Sequence, residues 1–222
     1  MPFRYWRIIS LFGAFLGALI HGQSFATVDD LSHGKAALVN GAVITSVDFH
    51  DELRRVERLR GANKRSPDPA ESARNKKQAL ENLITRELLY QEAGKRGVKV
   101  SEKVVNEEIN ILKKQFSKEA EFNKTLERMG LSEQALKAQI ERGMTVQQFI
   151  DDEFAKKVHV SEDEIGTYYE SHRDELKEPL ATAREKIRQI LQREDAAKRL
   201  PPYLKRLREK AKVEIVLNED GE

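Results

Sequence analysis

The sequence predicts a mainly α protein with one small β-sheet, the sheet formed by an N-terminal hairpin and a C-terminal strand. Three observations predict it. Apolar residues recur at intervals of three and four over most of the chain, and charged residues, 34% of the total, fill the other faces. A hairpin signal stands near the N-terminus, with Asn40-Gly41 between Ala37-Leu38-Val39 and Ala42-Val43-Ile44. Asn and Gly accept the positive φ that a type I′ turn demands. A period of two returns at the far end, in "KVEIVL", residues 212–217, where Val213, Ile215 and Leu217 alternate with Lys212, Glu214 and Val216. Two strands alone are marginal in water, so this terminal strand is the expected third partner of the hairpin.

The first residues read as a signal peptide. Arg4 and Arg7 precede the apolar run Ile8–Ile20, and Ser24-Phe25-Ala26 places small residues at the −3 and −1 positions of a cut after Ala26. An uncleaved anchor would need about 20 apolar residues to span a bilayer, and this run is shorter. No cysteine follows it, which excludes a lipid-anchored lipoprotein. The expected organisation is a signal peptide over 1–26 and one exported domain over 27–222, with no membrane span after cleavage.

The helices announce themselves by their caps. Thr45 is an expected N-cap with Asp48 at the third helical position, opening a helix that runs to Gly61. After the loop "GANKRSPDPAES", Asp68-Pro69-Ala70-Glu71 supplies an N-cap, a first-turn proline and a Glu to complete the box. The helix that follows reaches Gly94 or Gly97 and carries Leu80, Leu83, Ile84 and Leu88 on one stripe. Three further starts, at Ser101, Ser132 and Ser161, share one design: an apolar residue before the cap and another at the fourth helical position. The pairs are Val100/Val105, Leu131/Leu136 and Val160/Ile165, the spacing of a hydrophobic staple. A last long helix begins near Leu180, and Pro201-Pro202 is expected to kink or split it.

Composition excludes several functions. Without Arg4 and Arg7 the chain carries 37 basic residues against 37 acidic, a balance that argues against nucleic acid as a partner. With no cysteine, thiol catalysis and thiolate metal sites are excluded. The histidines are scattered, with no pair at i, i+4 beside a Glu, so no metal is expected. "HRDEL" at 172–176 lacks the glycine-rich loop and the Asp-Phe-Gly that would make it a kinase loop. No phosphate-cradling loop, nucleophile elbow or dinucleotide fingerprint is present, so neither a catalytic residue nor a cofactor is expected. What remains is apolar surface. Phe116, Phe122, Met129, Met144, Phe149 and Phe154 are candidates for lining a groove, because Met and aromatic side chains adapt to varied apolar partners. The same residues fit a plain hydrophobic core.

"ALVNGAVITSVDF" followed by "ALENLITRELLYQEAGKRGVKVSEKVVNEEI" resembles the N-terminal module of SurA-type periplasmic chaperones. "VHVSEDEIGTYYESHRDEL" resembles the helix that usually precedes their parvulin prolyl-isomerase domain. "EPLATAREKIRQILQREDAAKRLPPYLKRLREKAKVEIVL" resembles the helix and strand that follow it. Here the two run together through Lys177-Glu178-Pro179, where a domain of roughly a hundred residues would otherwise stand. The resemblance implies a helical chaperone module without the isomerase, which holds unfolded clients, notably outer-membrane proteins, in an apolar crevice without ATP. Two other readings stay open: a folding factor related to prolyl isomerases, and a structural adaptor docking one folded partner. Terminal strands of this kind also permit a strand-swapped dimer.

Overall fold

The computed structural model describes residues 34–60 and 68–217; the predicted signal peptide lies outside the described residues. In chain order these contain β1 (Lys35–Val39), β2 (Ala42–Thr45), α1 (Ser46–Leu59), α2 (Pro69–Lys95), α3 (Glu102–Lys113) and α4 (Glu119–Arg128). There follow α5 (Glu133–Ile150), a π-helical turn (Asp151–Ala155), α6 (Glu162–Ser171), α7 (Arg173–Leu176), α8 (Leu180–Lys210) and β3 (Val213–Ile215). The fold is mainly α with one three-stranded sheet, as the sequence predicts.

The sheet has the order β2-β1-β3 and is antiparallel throughout. Asn40 and Gly41 have φ of 51° and 87°, the two positive values of a type I′ turn. Val39 pairs with Ala42 on one side and Val213 on the other; Leu38 pairs with Val43 and Glu214. The predicted closure of hairpin and C-terminal strand is therefore present, and Asn40 strengthens it. Its backbone N–H donates to the Lys212 carbonyl at 2.8 Å, and its side-chain Oδ1 accepts from the Lys212 N–H at 2.9 Å.

Helix boundaries follow the capping chemistry. Thr45 and Asp48 form a capping box, and so do Ser161 and Glu164. Asp68 Oδ1 accepts from the Glu71 N–H at 2.7 Å, and Ser132 Oγ from the Ala135 N–H at 3.0 Å. Gly97 (φ 71°) closes the segment after α2: its N–H bonds the Gly94 carbonyl while the Val98 N–H reaches back to Ala93. That is the Schellman arrangement, which glycine adopts without steric cost.

Two units make up the described chain. The first takes residues up to Leu88, Ile109–Ala138 and the residues from Ala211 on; the second takes Leu89–Glu108 and Gln139–Lys210. In the first, Ala37, Val39 and Ile44 of the sheet share a core with Phe49 and Val56 of α1 and with Ala79, Leu83, Ile84 and Leu88 of α2. Glu52 ties α1 to α2 within this unit. It is 4% exposed and accepts hydrogen bonds from Arg55 Nε at 2.9 Å, Asn82 Nδ2 at 2.7 Å and Arg86 Nη2 at 3.2 Å. Burial pushes its carboxyl up, but the bonds from Arg55 and Asn82 and the charge of Arg86 outweigh burial and hold it below the usual range.

In the second unit, Phe149, Phe154 and Ala196 form one cluster with Leu89, Ala93 and Val146. Val160, Ile165 and Tyr169 form another with Ala183 and Ile187 of α8. The staple predicted for Val160 and Ile165 is thus buried in one cluster.

Three expectations are narrowed or corrected by the structure. Pro201-Pro202 does not split the last helix, since α8 runs from Leu180 to Lys210 with both prolines inside it. The prolines and the residues four before them, Ala197 and Lys198, are exposed, so the carbonyls left without an N–H partner are open to water. Leu200, Tyr203, Leu204 and Leu207 also pack on one cluster and hold both sides of the interruption. The C-terminal strand is three residues long, against six expected. Beyond Ile215 the N–H groups of Val216 and Leu217 both turn to the Ala36 carbonyl, where β1 carries an irregularity. Ile215, expected on the core face, is 53% exposed, because on this outermost strand only Val213 and Leu217 reach the core.

Two predictions follow from these contacts. Deleting residues 212–217 removes the bonds to Asn40 and Ala36 and the cover of Val213 and Leu217, and lowers the thermal midpoint by about 4–8 °C; an unchanged melting curve would refute the closure. Glu52 contributes stability that is complete above the unfolded carboxyl pKa of about 4.3 and disappears as pH falls through its lower folded value. Glu52→Gln therefore costs about 2 kcal/mol at pH 7, measured by urea denaturation, and the difference from the parent shrinks below pH 4.

Candidate functional site

The six groove candidates fall into two groups. Phe116, Phe122 and Met129 belong to the first unit; Met144, Phe149 and Phe154 belong to the second. The structure thus places three in each unit.

In the first unit, Phe122 on α4 is fully buried with Thr125 and Leu126. Phe116, in the turn after α3, meets the Phe122 ring edge to face at 5.4 Å and is itself partly exposed, as is Met129 at the C-cap of α4. Lys113 covers the same spot. Its ammonium stands 5.4 Å from the Phe122 ring centroid and bridges Glu133 at 2.9 Å and Glu119 at 3.2 Å. The hydrogen bond to Glu133, with a further contribution from Glu119, raises the Lys113 pKa, so the charge persists across the working pH range. A cation held over an aromatic face favours a ring that stays in place.

In the second unit, Met144, Phe149 and Phe154 are 5%, 1% and 6% exposed. Phe149 and Phe154 meet edge to face at 6.3 Å, and Tyr203 joins both at 6.2 and 5.1 Å. The Tyr203 hydroxyl donates to Glu92 Oε1 at 3.0 Å, and Arg96 Nε donates to the same oxygen at 3.1 Å. This is an aromatic core with its one polar handle satisfied.

Further accessible apolar surface lies beyond the partly open Phe116 and Met129. Among the described residues the exposed large hydrophobic side chains are Val43, Val47, Leu59, Ile215 and Val216, at 41–71% exposure. All five belong to the first unit. None is aromatic or Met, so none carries the adaptable side chain that marks the six candidates. The signal for Val43 was nonetheless present, since the residue adjacent to a core-facing Ile44 in a strand must face the other way.

Two of the described histidines bond only within their own helices. His50 Nδ1 lies 2.7 Å from the Ser46 carbonyl, and His172 Nδ1 lies 2.9 Å from the Tyr168 carbonyl, each within its own helical turn. Among the described residues no group of three or more His, Cys, Asp or Glu side chains could hold a metal ion. None of the described helices is long and apolar enough to cross a membrane. α7 ends at Leu176 and α8 begins at Leu180, so three residues join them.

A helical protein whose N-terminal hairpin and C-terminal strand share one small sheet is the class that this geometry defines. The chain belongs to the SurA-like N-terminal domain family, whose model matches residues 3–150. It is 30% identical over 130 residues to a protein named Chaperone SurA from Chromobacterium violaceum, covering 58% of this chain and 30% of that one. A Chaperone SurA from Hahella chejuensis is 27% identical over 169 residues, covering 74% of this chain and 37% of the relative. Foldase protein PrsA from Caldanaerobacter subterraneus subsp. tengcongensis is 26% identical over 173 residues, covering 72% and 51%. The chain therefore spans from under a third to about half of the length of these relatives.

Burial separates the candidates by cost. Phe122→Ala is expected to destabilise by about 3–5 kcal/mol, as for other fully buried aromatic residues. Phe116→Ala removes one aromatic contact and part of a half-buried ring, about 1–2 kcal/mol. Urea denaturation of the two variants checks the ordering, and equal losses would contradict it.

Proposed function

We propose that this protein is an ATP-independent periplasmic chaperone that holds unfolded outer-membrane proteins. Its family and the printed names of its relatives, chaperone and foldase, support a role in protein folding. The observation that carries the client-holding reading is the position of the accessible apolar side chains. Val43, Val47, Leu59, Ile215 and Val216 all lie in the first unit, and Phe116 and Met129 lie partly open in the same unit. Residues 1–26 act as the export signal in this reading, and residues 27–222 form the working domain.

The physical logic suits a compartment without ATP. A holder there can release its client only if each contact is weak and adaptable. Such contacts nonetheless keep exposed strand edges from pairing wrongly. The three-residue join between α7 and α8 favours holding over isomerisation, since a parvulin domain would need roughly a hundred residues at that place.

The test is aggregation of a urea-unfolded β-barrel membrane protein on dilution, followed by light scattering. The exported protein, purified from the periplasm, is expected to suppress it at near-equimolar ratio, and Phe116→Ala combined with Met129→Ala to weaken the suppression several-fold. Full aggregation in its presence would sink the chaperone reading. Faster exchange of an X-Pro peptide would point to an isomerase, and recovery of one folded partner at fixed stoichiometry to an adaptor.

A further inference from the structure

We propose that β3 is a resident strand that unfolded client segments displace, pairing in its place with the edge of β1. The inference rests on the chaperone reading above and specifies its client class: extended segments with a period of two, the pattern of membrane-spanning β-strands.

The two sides of the β1–β3 pair are unequal. Ala36, Ala37 and Val39 in β1 are fully buried. Among the residues from Val213 to Leu217 none is buried: Val213 and Leu217 are partly covered, and Glu214, Ile215 and Val216 are exposed. This segment covers the β1 edge while burying little of itself. An outer strand of this kind is the part of a sheet that opens at the lowest free energy.

Nothing in the pairing depends on the identity of the β3 side chains. Asn40 N–H bonds the Lys212 carbonyl, Asn40 Oδ1 accepts from the Lys212 N–H, and Val216 and Leu217 N–H groups meet the Ala36 carbonyl. On the β3 side every one of these groups is backbone, and so is the Leu38–Glu214 ladder pair. Any extended segment can supply them, so displacement exchanges like bonds for like. Side-chain demand enters only where Val213 and Leu217, four residues apart, reach the core; Glu214, Ile215 and Val216 between them are exposed. An extended segment with a period of two, which keeps its apolar residues on one face, can supply apolar side chains at both of those places.

Release follows from the tether. β3 stays covalently attached while displaced, so it competes for its own place at an effective concentration on the order of millimolar. A client strand is held only while it outcompetes β3, and it leaves without any energy source.

A lock tests this. The chain has no cysteine, and Leu38 and Glu214 are antiparallel Cα partners on the sheet face away from the core. Antiparallel partners stand about 4.5–5.5 Å apart, within reach of a disulfide. Leu38→Cys with Glu214→Cys therefore bolts β3 to β1 when oxidised. Capture of a urea-unfolded eight-stranded β-barrel membrane protein is expected to fall at least tenfold in the oxidised form and to return on adding dithiothreitol. Equal capture by both forms overturns displacement and leaves the chaperone reading standing, with clients bound elsewhere. In the unsubstituted protein, client addition should remove hydrogen-exchange protection from the Glu214 and Val216 amides while the β1–β2 amides stay protected. Unchanged protection in β3 also overturns the proposal, as does deprotection accompanied only by dimers of this chain. If the unsubstituted protein captures no client, the chaperone reading itself has failed.

Discussion

β1 must be paired on both edges, and much of the first unit follows from that requirement. Its residues Ala36, Ala37 and Val39 are fully buried, and buried backbone N–H and C=O groups need partners. β2 satisfies one edge through a two-residue turn, the shortest connection available to antiparallel strands. The other edge is satisfied from the far end of the chain, by bonds between residues 172 apart in sequence. Closing a loop of that length costs only a little more than closing one half as long, so distance in sequence is no obstacle. Asn40 serves both edges at once. Its positive φ makes the turn to β2; its side-chain oxygen accepts from the Lys212 N–H, and its backbone N–H donates to the Lys212 carbonyl.

Buried charge shows a second way of joining elements, and one position where that way is not completed. Glu52 is enclosed and satisfied, with Arg55, Asn82 and Arg86 around its two oxygens. Removing a single partner from such a group is costly, because the charge left behind remains buried. Glu108 on α3 is 3% exposed, yet its Oε1 has no hydrogen-bond partner among the described residues. Burial alone pushes its carboxyl up. It contributes nothing comparable to Glu52, although the two look alike in the sequence.

That contrast marks what could be read from the residues and what could not. The hairpin turn, the Thr45 and Ser161 boxes and the sheet's third strand were legible because each is set by side chains within a few residues or by a change of period. The start of α4 carries no such signal, because its N-cap, Lys118, makes no side-chain cap bond. The fate of Phe122, Phe149 and Phe154, buried, and of Phe116, partly open, was not legible. All are aromatic residues in helical sequence, and only the elements packed around them decide which are covered. The unbroken passage of α8 through Pro201-Pro202 has the same origin, since contacts on both sides of the prolines override a local preference.

Magnitudes connect the exposed side chains to the strand edge in the proposed function. Covering a half-exposed Val or Ile contributes about 1 kcal/mol, half of the value for complete burial. Val43, Val47 and Leu59, which keep their places when β3 is displaced, would then supply about 3 kcal/mol. Association itself costs about 4–15 kcal/mol in lost freedom of motion, so these contacts alone hold a client weakly or not at all. In the proposed displacement, backbone pairing at β1 replaces the bonds that β3 gives up, so it places the client without asking for a particular sequence, and the return of β3 limits how tight the result becomes. Under the proposed function, apolar contact would supply the attraction and strand exchange its limit, and the two together would describe a holder that grips many sequences and lets each one go.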